Sequence, residues 1–495
     1  MEFPQFCGPS YLDSSPTVDQ EETVNFYLEA VESGNSKNKS GYVMKRSPGM
    51  SSVFSVGFNT IGRGMFSLNG HIFVVLGDTI YDLLFNGVNL TINGQLGPIA
   101  NDGTLVQFAA DPEATQLSIY SAGNLYVIYS GTLSNVNWMG VAPAGLAMVN
   151  GFFCILSSVG DGFFWSDPGD VRLGTPLNFT SAQASGNKFI SILIDHGQVW
   201  VFGNANFGQV FSLSTADPNN PFVPNLSAII PHGTGAAASP ISFNLRVWWI
   251  GDHGRAFNSN GYTPQRISTH AVENRWRSYP TIADAVSWTA EWNGHHMWRI
   301  WFPSGNETWE YDTDMAAGLG WRKVADWDAG NAVFVAHRGS SSCQYGSATT
   351  NILNFVTDRA NGNIYVMTPD NYFTNGQRIP CLRISPDVEQ ELHKIVFDWL
   401  EMDMQTGLGD GSAGGVGATP EFEPVISISY SRDSGMSWSG PYQRSLGQQG
   451  QNTKRVTVPR FAGTNRKICI KIVVSAACPV NINTVYLGDP EAEAA

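Results

Sequence analysis

Charge is scarce in this sequence. Only 14% of its 495 residues are Asp, Glu, Lys or Arg, and 42 acidic residues outnumber 28 basic ones, for a net charge of −14. Long solvated helices need more Lys, Glu and Ala than this, so a mainly helical fold is not expected. The sign argues against a surface that grips nucleic acid through its phosphates. It is compatible with a DNA conduit, because a negative wall repels the polymer and keeps it from sticking.

Cysteine is equally sparse. Six residues, at 7, 154, 343, 381, 469 and 478, are scattered without a Cys-x-x-Cys pair. That pattern offers no disulfide framework, and free thiols in a reducing compartment are expected. No run approaches the roughly 18 apolar residues of a membrane helix. Met1 to Pro9 has neither a basic region nor a continuous apolar stretch, so no secretory signal is visible. A soluble protein made in a cytoplasm is expected, which weakens any reading as a secreted glycosidase.

Glycine and aromatic residues are plentiful: 52 glycines and 12% Phe, Trp and Tyr. They point to many short strands and tight turns. From 51 to 375 one pattern recurs, a strand, a turn with Gly, Asn or Asp, then a very apolar strand. It runs through Phe66–Leu76, Leu117–Tyr129, Leu146–Leu156, Ile190–Phe202, Ile241–Ile250, Ala290–Phe302 and Ile352–Met367. Hairpins repeating at about 45–50 residues are the signature of propeller blades. One gap, from Gly123 to Gly151, is much shorter than the rest. Six or seven blades fit.

Ile72, Phe73, Val74, Val75 and Leu76 are apolar at both strand parities. A strand covered on one face would alternate, so this one is covered on both, as stacked blades provide. Thr308–Asp312 and Gly320–Val324 read as the outer hairpin of a blade. Their tryptophans are expected to pack between blades rather than form a sugar platform.

The flanks differ. Residues 1–50 are loop-rich. Within them, 24–31 fits a helix or a strand by periodicity, and an extended strand is expected. After Pro380, alternating stretches suggest an antiparallel sandwich of five or six strands. The expected fold is all-β: a six- to seven-bladed propeller over 51–379, and a β-sandwich platform built from both chain ends, 1–50 and 380–488. An acidic tail, 489–495, is expected to fray.

The most distinctive stretch is 425–458. Val425, Ile426, Ile428 and Tyr430 stand among serines as a half-buried strand. Ser431, Asp433, Gly435 and Trp438 then form Ser-x-Asp-x-Gly-x-x-Trp, the Asp-box. At that spacing Asp433 can bond backbone N–H groups, Gly435 supplies a positive φ, and Trp438 plugs the hairpin onto its neighbour. Sialidases carry this motif, which suggests a propeller glycoside hydrolase or a glycan-binding propeller. It occurs once here, outside the repeats, whereas sialidases repeat it across blades on the side away from catalysis. Truncating Trp438 is expected to cost about 3–5 kcal/mol if it is buried.

Other constellations are weaker. The glycine-rich Gly407–Gly417 lacks the Lys-Ser/Thr of a phosphate loop and is better read as a loop that orders against a partner. His295 and His296 are adjacent on a strand and point to opposite faces, so with His270 they make no metal site. Asp161, Asp167, Asp170, Glu273, Glu291, Asp326 and Asp328 offer carboxylate pairs for glycoside hydrolysis. Nothing in the spacing of Arg246, Arg255, Arg275, Arg277 and Arg299 singles out a carboxylate-gripping triad. No catalytic, cofactor or metal residue is therefore expected. Arg444, Lys454, Arg455, Arg460, Arg466, Lys467 and Lys471 read as a solvated strand face or as a docking surface for an acidic ring.

Three segments carry a family resemblance: Glu22–Glu29 with Lys45–Met50; Gly254–Arg266 with Thr308–Asp312 and Gly320–Arg322; and Tyr430–Ser439 with Arg444–Gly450. The chain resembles the tail hub, or nozzle, proteins of short-tailed bacteriophages, also called packaged-DNA stabilisation proteins. Leu28 stands where that family commonly has proline, and Ser434 where a second glycine is usual. The resemblance implies a virion protein and not an enzyme, forming a homo-oligomeric ring, typically a hexamer, beneath the portal and its adaptor ring. It implies retention of packaged DNA, passage of genomic DNA through the lumen at ejection, and docking of tail fibres or spikes and a plug or needle protein. Arg444, Gly447, Gln448, Gln449 and Gly450 become the expected contact with the next subunit or the adaptor, and the Asp-box becomes a hairpin latch.

Overall fold

The computed structural model describes residues 2–32, 41–138, 140–181, 188–204, 207–217, 220–316, 318–346, 352–391, 393–409 and 422–488. The acidic tail and the glycine loop beyond Gly409 lie outside them.

Tight turns set the repeat. Asn69–Gly70, Asn150–Gly151, His196–Gly197 and Asn293–Gly294 each place two residues at positive φ. That is the two-residue hairpin turn whose twist suits the strands beside it. Among the described residues, the repeats form seven four-stranded antiparallel blades: 62–98, 107–136, 143–181, 189–230, 241–266, 286–328, and 339–368 with an added strand. The added strand is Gly49–Ser55, which pairs antiparallel with Asn363–Thr368, Met50 opposite Met367. The N-terminal segment thus supplies the fourth strand of the blade the chain makes last, and Phe373–Thr374 pairs on its far side. This strand runs across the boundary expected between residues 50 and 51.

Single strands feed two cores. In blade one, Ile72, Val74 and Leu76 pack with Phe355 and Ile364 of blade seven, while Val75 packs with Leu117 and Ile119 of blade two. In blade five, Trp248 joins the core shared with blade six, and its neighbour Trp249 the core shared with blade four. Trp309 and Trp321 are buried in the core between blades five and six. They pack around Trp276 of the eight-residue helix His270–Arg277, which Thr269 caps by accepting from the Val272 N–H.

The rest of the chain is a sandwich. One sheet runs in the order Phe26–Ala30, Tyr42–Arg46, Asn481–Gly488, Ile395–Met404, Val456–Asn465. The other runs Gln20–Val24, Cys381–Ile384, Lys467–Val474, Val425–Ser431, Tyr442–Ser445. Their facing sides enclose Phe6, Phe26, Met44, Phe397, Ile428 and Ile470. Residues 24–31 enter as strands, not as a helix. Among the described residues eight strands follow residue 380, where the sequence suggested five or six. Short members such as Val388–Glu389 and Tyr442–Ser445 carry too few residues for a visible alternation.

Candidate functional site

The most specific side-chain contacts gather at the junction of the two domains and at the terminal hairpin. At the junction, the strand Gln20–Val24 runs between propeller and sandwich. Val24 pairs in parallel with Lys323 of blade six and antiparallel with Leu382, so one sheet continues from the propeller into the platform. Asn25 follows, at φ +59 and 2% exposed. Its side chain bonds Ala325 of blade six and donates to the Pro380 carbonyl at 2.8 Å. Asn tolerates the left-handed conformation better than other non-glycine residues, and its amide replaces a missing backbone neighbour.

Beyond Asn25 the strand alternates. Phe26 and Leu28 enter the sandwich core. Tyr27 packs edge-on to Trp292 and His295 of blade six. Glu29 takes Lys45 at 2.6 Å. Each residue of the Asn-Phe-Tyr-Leu-Glu motif therefore has a physical task at the seam. Leu28, in place of the more usual proline, is buried there without disturbing the pairing of Phe26–Ala30 with Tyr42–Arg46.

Two buried arginines fasten the ends. Arg383 donates to the Phe6 carbonyl at 2.7 Å, to the Pro9 carbonyl at 2.8 Å and to Thr23 at 3.0 Å. Arg46 donates to the carbonyls of Ile379 and Cys478. Behind the seam, Glu310 is enclosed between Arg299 and Arg322, with both arginines near aromatic rings of Trp288, Trp292 and Tyr27. Burial opposes the Glu310 charge, but the two guanidiniums overcome it and hold the carboxyl below its usual range.

The Asp-box closes on itself. Ser431 Oγ donates to Asp433 Oδ1 at 2.6 Å and accepts the Gly435 N–H at 2.9 Å. Asp433 accepts the Ser437 N–H at 2.8 Å and the Ser437 hydroxyl at 2.5 Å. Bonds from Ser431 and Ser437 pull its carboxyl down to about 2. Ser434, at φ +55 where glycine is usual, donates to Asp387 at 2.7 Å, and Lys467 reaches the same carboxylate at 3.0 Å. Gln20 donates to Asp387 at 3.2 Å, tying the hairpin to the strand that reaches the propeller. Trp438 is half-buried, with the Lys471 ammonium 4.2 Å from the centre of its ring. It lies over the hairpin surface and does not plug a core.

The five residues expected to contact a partner divide. Arg444 is used internally, donating to the Thr457 carbonyl at 2.6 Å, and Gly447 is buried, its carbonyl accepting the Gly409 N–H at 3.0 Å. Gln448 is half-buried, and Gln449 and Gly450 are exposed at the turn. Of the other basic residues, Lys454 pairs with Glu423 and Arg455 with Glu401.

Of the carboxylates considered for glycoside hydrolysis, Asp167 and Asp170 stand opposite each other at a turn of blade three, while Glu273, Glu291 and Asp326 lie on other elements. Asp170 is held by Arg172, Glu273 by Arg266 and Arg277, and Asp326 by Arg338. They sit on blade three, the helix and blade six respectively. The arginines are equally dispersed: Arg275 pairs with Glu307 while Arg299 is buried on Glu310. His295 turns to Asp312 and His296 to Asp314, and among the described residues no group of three His, Cys, Asp or Glu could hold a metal ion. Among the described residues, no helix is long and apolar enough to cross a membrane.

These features define a protein class: a β-propeller whose sheet continues into a β-sandwich made from both chain ends. Two family models match in the same arrangement, bacteriophage P22 Gp10, beta-propeller, over residues 11–372, and bacteriophage P22 Gp10, beta-sandwich, over 382–487. The chain belongs to the bacteriophage P22 Gp10 family of tail proteins, and is a virion component of that kind. A search of curated proteins gave no match. Among solved structures, the chain is similar to the N-terminal domain of Nup159 at 10% identity and TM-score 0.42, covering 70% of this chain and 98% of that one. It is also similar to the WD40 propeller domain of Doa1 at 8% identity and TM-score 0.39, covering 65% and 97%.

Proposed function

We propose that the protein is a subunit of a ring-shaped tail nozzle, typically six copies, beneath the portal and adaptor ring. The ring retains packaged DNA and lets it pass at ejection. The observation that carries this reading is the fusion of platform and propeller through the Val24–Lys323 pairing, because a wall that withstands packaged DNA requires two domains that do not hinge. A net charge of −14 suits transit of a polyanion without sticking. A closed ring needs two different complementary surfaces on each subunit, and the exposed Gln449–Gly450 turn is offered as part of one of them. Tail fibres or spikes and a plug or needle protein are its further proposed partners.

The test is electron microscopy of tails assembled with and without this protein, alongside retention of DNA by the particles. The reading expects a ring of 53.8 kDa subunits below the adaptor, and loss of packaged DNA when the protein is omitted. Tails with no such ring, or turnover of a fluorogenic sialoside, would overturn it.

A further inference from the structure

The gap between blades five and six is packed on its inner side and open on its outer side. Trp248, Ile250, Trp298 and Ile300 fill the inner part. Further out lies a cleft of 580 Å³, lined by Arg246, Asn258 and Gln265 of blade five and by Tyr311 and Thr313 beside blade six.

Strand register fixes which side chains enter it. Trp248 lies opposite Asn258, and Asn258 opposite Gln265. Directly opposed residues share a sheet face. Trp248 belongs to the core shared with blade six, so Asn258 and Gln265 point the same way. Arg246, two residues before Trp248, does so too.

These polar groups are unspent. Asn258 is 4% exposed, and its Oδ1 has no hydrogen-bond partner. Among the described residues, the Arg246 guanidinium, the Gln265 amide and the Tyr311 hydroxyl make no hydrogen bond or ion pair, and Arg246 lies within electrostatic reach of Tyr311. The corresponding diagonal in two other blades is closed: His71 bonds Asp82 at 2.8 Å in blade one, and His295 bonds Asp312 at 2.8 Å in blade six. In blade five those two positions are Arg246 and Asn258, which do not bond. The turn at the cleft is also unusual. Leu245 stands at φ +60, 82% exposed, where the equivalent turns of blades one, three and six have glycine. A leucine held in that conformation is strained, and strain of this kind gathers at binding sites.

We propose that this cleft binds an acidic sugar. Arg246 takes its carboxylate or phosphate as a charge-assisted pair. The Asn258 and Gln265 amides, each able to donate and accept, take adjacent hydroxyls together with the Tyr311 hydroxyl. Leu245, 82% exposed, offers apolar surface to the C–H face of the ring. An acidic peptide side chain would satisfy Arg246 but not a row of amides and a hydroxyl, which is why a sugar is the better fit. The proposal does not depend on the ring reading above.

The test is calorimetric titration of the full chain with a galacturonate trisaccharide, mannose 6-phosphate and neutral maltotriose. At least one charged sugar is expected to bind, about tenfold or more tighter than the neutral one. Arg246→Ala, at an exposed position, should remove that preference while leaving the unfolding midpoint unchanged, and Gln265→Ala should weaken binding further. The charged sugar that binds tells carboxylate from phosphate. The proposal is overturned if no charged sugar binds, if the neutral sugar binds equally, or if both variants bind as the parent does. Self-association abolished by Arg246→Ala would also overturn it, by assigning the cleft to a contact between copies.

Discussion

Asn25 and Ala325 bond each other twice through one side chain: Asn25 Oδ1 accepts the Ala325 N–H at 2.8 Å, and Nδ2 donates to the Ala325 carbonyl at 2.9 Å. A single amide thus stands in for a strand partner at the place where sandwich and propeller meet. Asn25→Ala would orphan both backbone groups and put alanine at positive φ, so a loss of about 3 kcal/mol or more is expected. Denaturant unfolding should show it. Asn25→Gly relieves the backbone and should recover part of the loss, and equal effects from the two variants would contradict this account.

Glu310 holds two buried guanidiniums at 2.5 and 2.7 Å. Glu310→Gln leaves both charges buried without their counter-charge, and about 3–5 kcal/mol should be lost. Replacing Arg299, Glu310 and Arg322 together with apolar residues of similar volume should cost much less. Thermal unfolding of the single and triple variants decides between them.

Glu307 links acid to stability. Burial works against its charge, but Lys323, Arg275 and the Tyr279 hydroxyl override it and hold the carboxyl at about 2, against 4.5 when unfolded. A depressed carboxyl stabilises the folded state above the unfolded value and loses that effect as pH falls through the folded one. Stability should therefore decline between about pH 5 and 2, and Glu307→Gln should flatten that decline in urea titrations. An unchanged acid limb would contradict the assignment.

Trp438 lies half-exposed under Lys471, so Trp438→Ala should cost about 1–2 kcal/mol. That is less than the 3–5 kcal/mol expected of a fully buried ring. Asp433→Ala should be felt locally, as faster amide exchange at Gly435 and Ser437, while the distant blades keep their protection. Global unfolding of either variant at room temperature would show that the hairpin matters more than its contacts indicate.

The strand pattern of the blades was legible because each strand serves two cores and is apolar at both parities. The number seven was not. The hairpins at Gly123 and Gly362 join the second and third strands of their blades, whereas those at Gly70, Gly151, Gly197 and Gly294 join the first and second. Mixing the two kinds compresses one interval and hides the count. The Gly49–Ser55 closure was invisible because its partner lies some three hundred residues away, and pairing at that distance leaves no local periodicity. Asn25 could be noticed only through the family motif, since one buried amide has no pattern. The cleft between blades five and six needed register as well as sequence: Arg246, Asn258, Gln265 and Tyr311 are unremarkable until the sheet places them together.

The sandwich pairs Glu2 with Tyr486 and Lys45 with Asn481, and the propeller closes 49–55 on 363–368. Both domains thus wait for late parts of the chain, and the entropy of closing such long loops must be met before either is complete. The platform is therefore incomplete until residues 481–488 have joined it. Before then the first residues lack the strand they pair with, so any surface built on that platform appears only after the two distant segments have met.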